Sequence, residues 1–219
     1  MREHEHHPDD VHDGLSVAEY WEQRYAAGGA VWSGRPNATL LDVAPAPSGP
    51  AARAVDLACG EGGDAVWLAQ QGWQVTAVDI SHVAIGRGRA AADELGLGHA
   101  IQWVAADLET WQVPDGIELV TACFLQSSRE LDRDGILRRA ASRLGVGGRL
   151  VSIAHAELPP WAGHPGHLGI TPEAELAALE LDPAAWEVEL AEVRERTGSG
   201  PDGEPATLRD SVVRVCRIA

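Results

Sequence analysis

Short apolar runs alternate with amphipathic stretches from Arg53 onward. Runs at 53–58, 74–79, 101–105, 117–124 and 148–154 are dense in Val, Ile, Leu and Ala, which predicts strands buried on both faces. Between them, 62–71, 81–95 and 130–143 repeat apolar residues at helical spacing. Gly96 and Gly98 stop the second of these helices, and Gly145 to Gly148 turn tightly into the fifth strand. Strand and helix in alternation predict a parallel sheet with helices on both faces.

The two ends break this pattern. Ser16 caps a helix running through about Ala27, with Val17, Tyr20, Trp21, Arg24 and Tyr25 along it, and Gly28-Gly29 ends it. A Pro-rich linker, A-P-A-P-S-G-P at 44–50, then marks residues 16–43 as a helical cap appended to a main domain of 51–219. Residues 1–15 are polar and carry His4, His6, His7 and His12; they are expected to form a disordered tail without a metal site. Beyond a Pro-, Gly- and His-rich loop at 158–170, Thr171-Pro172-Glu173 starts another helix. Strands at 186–190 and 210–216 follow, joined by a Gly/Pro-rich loop at 197–206 with no crossover helix, so they are expected to be antiparallel neighbours.

Composition narrows the chemistry. The 219 residues are 45% hydrophobic and carry a formal net charge of −16, which disfavours nucleic acid or an anionic membrane as the main partner and favours a small molecule. Every basic residue is arginine, so Schiff-base and P-loop lysine chemistry are absent. Cys59, Cys123 and Cys216 are widely spaced and read as free buried thiols of a reducing cytoplasm. No apolar run reaches the roughly 18 to 20 residues of a membrane span, and the polar N-terminus has no signal-peptide core. A cytoplasmic monomer or homodimer is expected.

The densest chemical signal is Ala54-Val55-Asp56-Leu57-Ala58-Cys59-Gly60-Glu61-Gly62-Gly63-Asp64-Ala65. Asp56 falls inside a buried strand, where an unpaired carboxylate is costly, so a cationic or donor-rich ligand is expected on it. The glycines let backbone approach that ligand, and the helix behind them presents N-terminal amides. Asp79 ends the second strand 19 residues after Gly60, about the spacing at which a carboxylate grips ribose hydroxyls. Asp107, followed by apolar Leu108, ends the third strand and offers an acceptor for an exocyclic amine. Gly60-x-Gly62-x-x-Ala65 also fits a loose dinucleotide fingerprint. Three features count against that alternative, an NAD(P)-dependent oxidoreductase: the charge of Asp56 facing a pyrophosphate, the lack of a second nucleotide-binding half, and the antiparallel ending.

V-D-L-A-C-G-E-G, V-T-A-V-D-I-S, V-A-A-D-L-E, L-V-T-A-C-F-L and L-G-V-G-G-R-L-V-S-I-A together resemble the motifs of class I S-adenosylmethionine-dependent methyltransferases, over about Ser16 to Cys216. The resemblance implies a Rossmann-like α/β fold, a seven-stranded, mostly parallel sheet in the order 3-2-1-4-5-7-6 with strand 7 antiparallel and helices on both faces. It implies S-adenosyl-L-methionine as cofactor and S-adenosyl-L-homocysteine as its product. By position, Asp56, Ala58 and the Gly60–Gly62 turn would face the methionine part and Asp79 the ribose. Ile80 and Leu108 would face the adenine, Asp107 its amine, and the Cys123 backbone the methionine amino group. The segment Y-W-E-Q-R-Y-x5-V-W-S-G-R-P-N is similar to the tellurite-resistance and thiopurine type, in which Arg24 would pair with the methionine carboxylate and Trp32 would wall the methyl group.

Methyl transfer from a sulfonium needs orientation and a dry pocket more than an acid or base. For a protic acceptor, His155 at the tip of the fifth strand is the nearest candidate base, with His164 and His167 behind it. The three cysteines are expected not to converge, against thiolate capture of a metalloid. No N-P-P-Y-type tetrapeptide follows the fourth strand, where Cys123-Phe124-Leu125-Gln126 stands, against a nucleic-acid substrate. The expected acceptor is a small thiol, a chalcogen oxyanion, or a phenolic or amine metabolite; a mute S-adenosylmethionine-binding protein is the other alternative.

Overall fold

The computed structural model describes residues 14–127, 130–158, 169–199 and 204–219. Strands β1 (Arg53–Leu57), β2 (Gln74–Asp79), β3 (Ile101–Ala105), β4 (Leu119–Cys123) and β5 (Arg149–His155) run parallel. Two strands, β6 (Trp186–Ser199) and β7 (Pro205–Arg217), form an antiparallel hairpin whose β7 pairs antiparallel with β5. The sheet order is β3-β2-β1-β4-β5-β7-β6, as the resemblance implied. Strand order reverses between β1 and β4, and this switch opens a crevice at the carboxyl ends of the strands.

Helices α1 (Val17–Ala26), α2 (Ala38–Val43), α3 (Gly63–Gln70), α4 (His82–Glu94), α5 (Arg133–Ser142) and α6 (Pro172–Leu179) surround the sheet. Neighbouring residues of β1 point to opposite faces: Ala54 joins a core with Leu40, Leu68 and Val75, and Val55 joins one with Leu57, Leu137 and Leu150. Each fully buried leucine is worth roughly 2–5 kcal/mol on truncation to alanine. Caps set the helix starts. Ser16 and Glu19 form a reciprocal capping box, Asn37 caps α2, and Thr171 with Pro172 begins α6 as the sequence predicts.

Two features go beyond the expected pattern. Within residues 16–43, α2, which was not predicted separately, buries Leu40 and Val43 in the main core. Arg214 of β7 also donates to the Val43 carbonyl at 2.7 Å. The terminal hairpin is far longer than 186–190 and 210–216, and the expected loop at 197–206 is partly strand. A register shift between Val188 and Leu190 inverts the alternation of β6, so a period-two reading stops there although pairing continues to Ser199. Because β5 pairs β7 only from Asp210 to Cys216, the outer half of the hairpin projects beyond the carboxyl edge of the sheet. It carries Arg196 and Thr197 to the crevice.

Candidate functional site

The crevice is a cavity of about 670 Å³ lined by residues from every parallel strand tip, the N-terminal segment and the hairpin. That size falls within the roughly 300–1,000 Å³ of small-molecule sites. Two buried carboxylates, Asp56 and Asp79, and the half-buried Asp64 dominate its floor. Asp56 is 1% exposed; its Oδ1 accepts from Thr121 Oγ1 on the adjacent strand at 2.8 Å, and its Oδ2 has no partner. Burial, reinforced by the nearby charge of Asp64, pushes its pKa well above the ordinary carboxylate range. Asp64, in the first turn of α3, accepts from the Asn37 amide at 2.6 Å and is raised by burial too. Asp79 accepts from the Gly60 and Ser81 amides, each at 2.9 Å, and burial outweighs those bonds in raising it. Like charges packed this closely, one with an unused oxygen, suit a ligand that brings positive charge and hydroxyls.

The glycine turn is shaped for that ligand. At Gly60, φ is +53°, and a Cβ would stand 3.0 Å from Tyr25 Oη and 3.3 Å from the Trp32 ring. Gly62 does not line the cavity; a Cβ there would collide with Trp103 at 2.3 Å, so its part is to let the turn pack. Ala58, at the end of β1, itself adopts φ +54°, a left-handed conformation that costs a non-glycine residue about 1–2 kcal/mol.

The N-terminal segment closes over this floor through polar contacts. Glu61 accepts from the Val31 and Trp32 amides at 3.2 and 2.9 Å and from Arg87 Nη1 at 2.7 Å. Arg87 in turn donates to the Gly28 and Gly29 carbonyls at 2.6 and 2.8 Å. Glu22 of α1 accepts from Ser81 Oγ at 2.5 Å. Trp32 lines the cavity with its indole donating to Tyr25 Oη at 2.9 Å, and burial raises the Tyr25 pKa so that the phenol stays protonated and can donate inward. Glu61, Arg87, Tyr25 and Asp64 were not singled out in the sequence as site residues. Glu61 and Asp64 flank Gly62-Gly63, where two acids beside a glycine turn were a signal.

Of the residues singled out, Trp32, Asp56, Ala58, Gly60, Asp79, Ile80, Asp107, Leu108 and Cys123 line this one cavity. Arg24 does not: it is exposed on α1, with its guanidinium 5.7 Å over the Trp21 ring. The arginine of the N-terminal segment at the cavity is Arg35. Asp107 is exposed and one oxygen is taken by the Glu109 amide at 2.9 Å, leaving the other for a ligand. Cys59 and Cys123 both line the cavity, and Cys216 lies on β7 outside it. Burial raises the pKa of both cavity thiols. No group of three His, Cys, Asp or Glu among the described residues suits a metal ion.

At the far end of the cavity Phe124 and His155 stack at 4.4 Å, with Arg196 over the Phe124 ring. His164 and His167, like the N-terminal histidines, fall outside the described residues. No helix among the described residues is long and apolar enough to cross a membrane.

Residues 54–148 match the methyltransferase domain family. The chain is 32% identical over 133 residues to ribosomal RNA small subunit methyltransferase C of Chromohalobacter salexigens, covering 55% of this chain and 37% of that protein. It is 28% identical over 101 residues to probable thiol methyltransferase 2 of Arabidopsis thaliana, covering 46% of this chain and 45% of that protein. The chain thus spans less than half the length of these curated relatives. Among solved structures, the N-methyltransferase NodS of Bradyrhizobium japonicum WM9, in complex with S-adenosyl-L-homocysteine, aligns with a TM-score of 0.67 at 18% identity, covering 92% of this chain and 99% of that one. An orphaned buried carboxylate, a ribose-spaced aspartate and a glycine cradle fit S-adenosylmethionine, in agreement with the strand order and with the match of residues 54–148 to the methyltransferase domain family.

Proposed function

We propose that the chain transfers a methyl group from S-adenosylmethionine to a small molecule. The observation that carries this reading is the unpartnered Oδ2 of Asp56, buried at the floor of the cavity beside the carboxylates of Asp64 and Asp79. An ammonium is the group that turns this repulsive cluster into a binding site. Asp56 holds the amino group beside the Cys123 backbone, and Asp79 holds the ribose hydroxyls with the oxygen lone pairs its amide contacts leave free. Ile80 and Leu108 sandwich the adenine and Asp107 takes its amine. Tyr25 and Arg35, the donors that line the cavity from the N-terminal segment, receive the methionine carboxylate in place of Arg24. When bound, the cofactor supplies an electrophilic methyl on a sulfonium, and the protein's part is to align the acceptor and exclude water.

A small acceptor fits the enclosure. Residues 16–43 lie over the cavity through Glu61, Arg87 and Glu22, and the hairpin contributes Arg196 and Thr197 to its wall, which favours a small acceptor over a duplex or a folded RNA. The charge of −16 works against a phosphate backbone as well. A thiol or chalcogen acceptor is favoured, in keeping with the thiol methyltransferase relative and with the tellurite-resistance and thiopurine type that the N-terminal motif resembles. The test is formation of S-adenosylhomocysteine on a panel of small thiols, phenols, amines and chalcogen oxyanions, run beside purified small ribosomal subunits. Turnover of a small acceptor and none of the subunits is expected. Turnover of the subunits alone would replace the small-molecule reading with the RNA one.

A further inference from the structure

The acceptor end of the cavity holds a second pair of unsatisfied polar atoms. His155 Nδ1 and Asp210 Oδ1 are both buried without a hydrogen-bond partner, and they lie 3.9 Å apart. Asp210 is 0% exposed and is held rigidly by its other oxygen, which accepts from Thr39 Oγ1 of α2 at 3.0 Å and from Arg196 Nε of β6 at 2.7 Å. The two backbones are fixed as well: His155 and Asp210 are register partners across β5 and β7. The Gln126 side chain accepts from the His155 amide at 2.9 Å, and Phe124, itself at φ +55°, stacks on the imidazole. A buried carboxylate with one oxygen anchored and the other aimed at an imidazole nitrogen is costly unless the ring closes onto it. That closure needs a shift of about 1 Å to reach hydrogen-bond distance. With Nδ1 turned to Asp210, the nitrogen left for the cavity is Nε2 of a ring that is 25% exposed.

We propose that His155 Nε2 takes the proton of a protic, apolar acceptor, a thiol or a phenol, and that Asp210 is the residue that positions the imidazole for it through Nδ1. This rests on the methyl-transfer reading. The acceptor's X–H proton passes to Nε2, the freed lone pair forms X–CH3 as the S–CH3 bond breaks, and that bond's electron pair stays on sulfur. The imidazolium then returns its proton to water. Phe124 stacks on the ring, and Val17, Trp21, Leu125 and Leu131 give the same cavity apolar walls, which suits an aromatic or alkyl thiol or phenol in its neutral form. The charged groups acting on His155 are Asp210 from β7 and Arg196 from β6. The loop after β4 contributes Phe124 and Gln126, and α2 reaches Asp210 with Thr39, so neither adds charge. Burial lowers the His155 pKa against the pull of Asp210, so the ring is a neutral base at pH 7.

Two readouts test the proposal. By nuclear magnetic resonance, His155 is expected to titrate below 6.5 and to shift lower still in Asp210→Asn, since the carboxylate favours the imidazolium; an unchanged midpoint overturns the positioning role. His155→Gln leaves Asp210 with Thr39 and Arg196, and it is expected to keep the thermal response to S-adenosylhomocysteine. Its kcat should fall by about 100-fold or more on a phenol but by less than about tenfold on 4-nitrothiophenol, which is already ionised at the assay pH. Equal losses on both acceptors, no loss on either, or a wild-type protein that methylates neither overturns the proposal. This arm decides it even if Asp210→Asn does not fold. A wild-type protein with no response to S-adenosylhomocysteine would instead sink the function reading beneath it.

Discussion

Asp56→Asn should make the free protein more stable and the cofactor complex weaker. The amide keeps the acceptor for Thr121 Oγ1 and removes a buried charge that faces Asp64 and Asp79. Removal of one buried, unpaired carboxylate charge is worth about 1–3 kcal/mol, and each kcal/mol moves the melting temperature of a chain this size by about 2–4 °C. A rise of about 4–8 °C for the free protein follows from the middle of that range. The sign depends on pH. A carboxylate raised above 3.8 contributes most to stability while protonated and loses that contribution as pH rises through its folded value. The gain from Asp56→Asn is therefore expected to be small at acidic pH and largest at pH 8. Loss of a charge-assisted contact to the ligand ammonium costs about 1.5–3 kcal/mol, a drop of roughly 10- to 150-fold in affinity for S-adenosylhomocysteine. Calorimetric titration and melting curves read both effects. The control is the analogue whose amino group is replaced by hydrogen, for which wild type and variant should agree within about twofold. A variant that is less stable when free, or that loses equal affinity for both ligands, would refute an ammonium partner for Asp56.

Asp79→Asn is expected to lower affinity for S-adenosylhomocysteine by about 10-fold or more and to affect the 2′,3′-dideoxy analogue little, as measured by titration. Arg87→Ala should release Glu61 and the Gly28 and Gly29 carbonyls together; because Arg87 is 30% exposed, about 1–2 kcal/mol of stability is expected to be lost, read by urea unfolding, with faster hydrogen exchange over residues 28–32. Gly62→Ala forces a Cβ into the Trp103 ring at 2.3 Å and should cost about 1–3 kcal/mol in the same unfolding assay. The pH dependence of the complex should run opposite to that of the free protein: the rise in melting temperature with S-adenosylhomocysteine should grow from pH 5 to pH 8 as the ligand meets more ionised carboxylates.

The sheet was legible because its signal is local. Apolar runs of five to eight residues, glycine turns and a carboxylate at or just past the end of each of the first three strands mark the strand tips whatever packs against them. Contacts made across long sequence distances were not. Arg24 and Arg35 are both arginines in a capping segment, and only the path of the chain after Gly28-Gly29 decides which one reaches the cavity. The hairpin was cut short by a shift at Val188 to Leu190 that reverses which residues face inward. Asp210 was legible as an acid at the head of an expected apolar strand, but its meaning depends on Thr39, His155 and Arg196, which come from three other elements. The short helix α2 gave no periodicity to read in six residues, although Leu40 and Val43 belong to the core.

The central claim is that the carboxylate-floored cavity belongs to S-adenosylmethionine and not to a nicotinamide dinucleotide. Melting the protein at pH 7.5 with S-adenosylhomocysteine, NAD or NADP in turn tests it most directly. A rise of several degrees with S-adenosylhomocysteine, lost in Asp79→Asn, and none with either dinucleotide is the expected result. A rise with NAD or NADP and none with S-adenosylhomocysteine would contradict it.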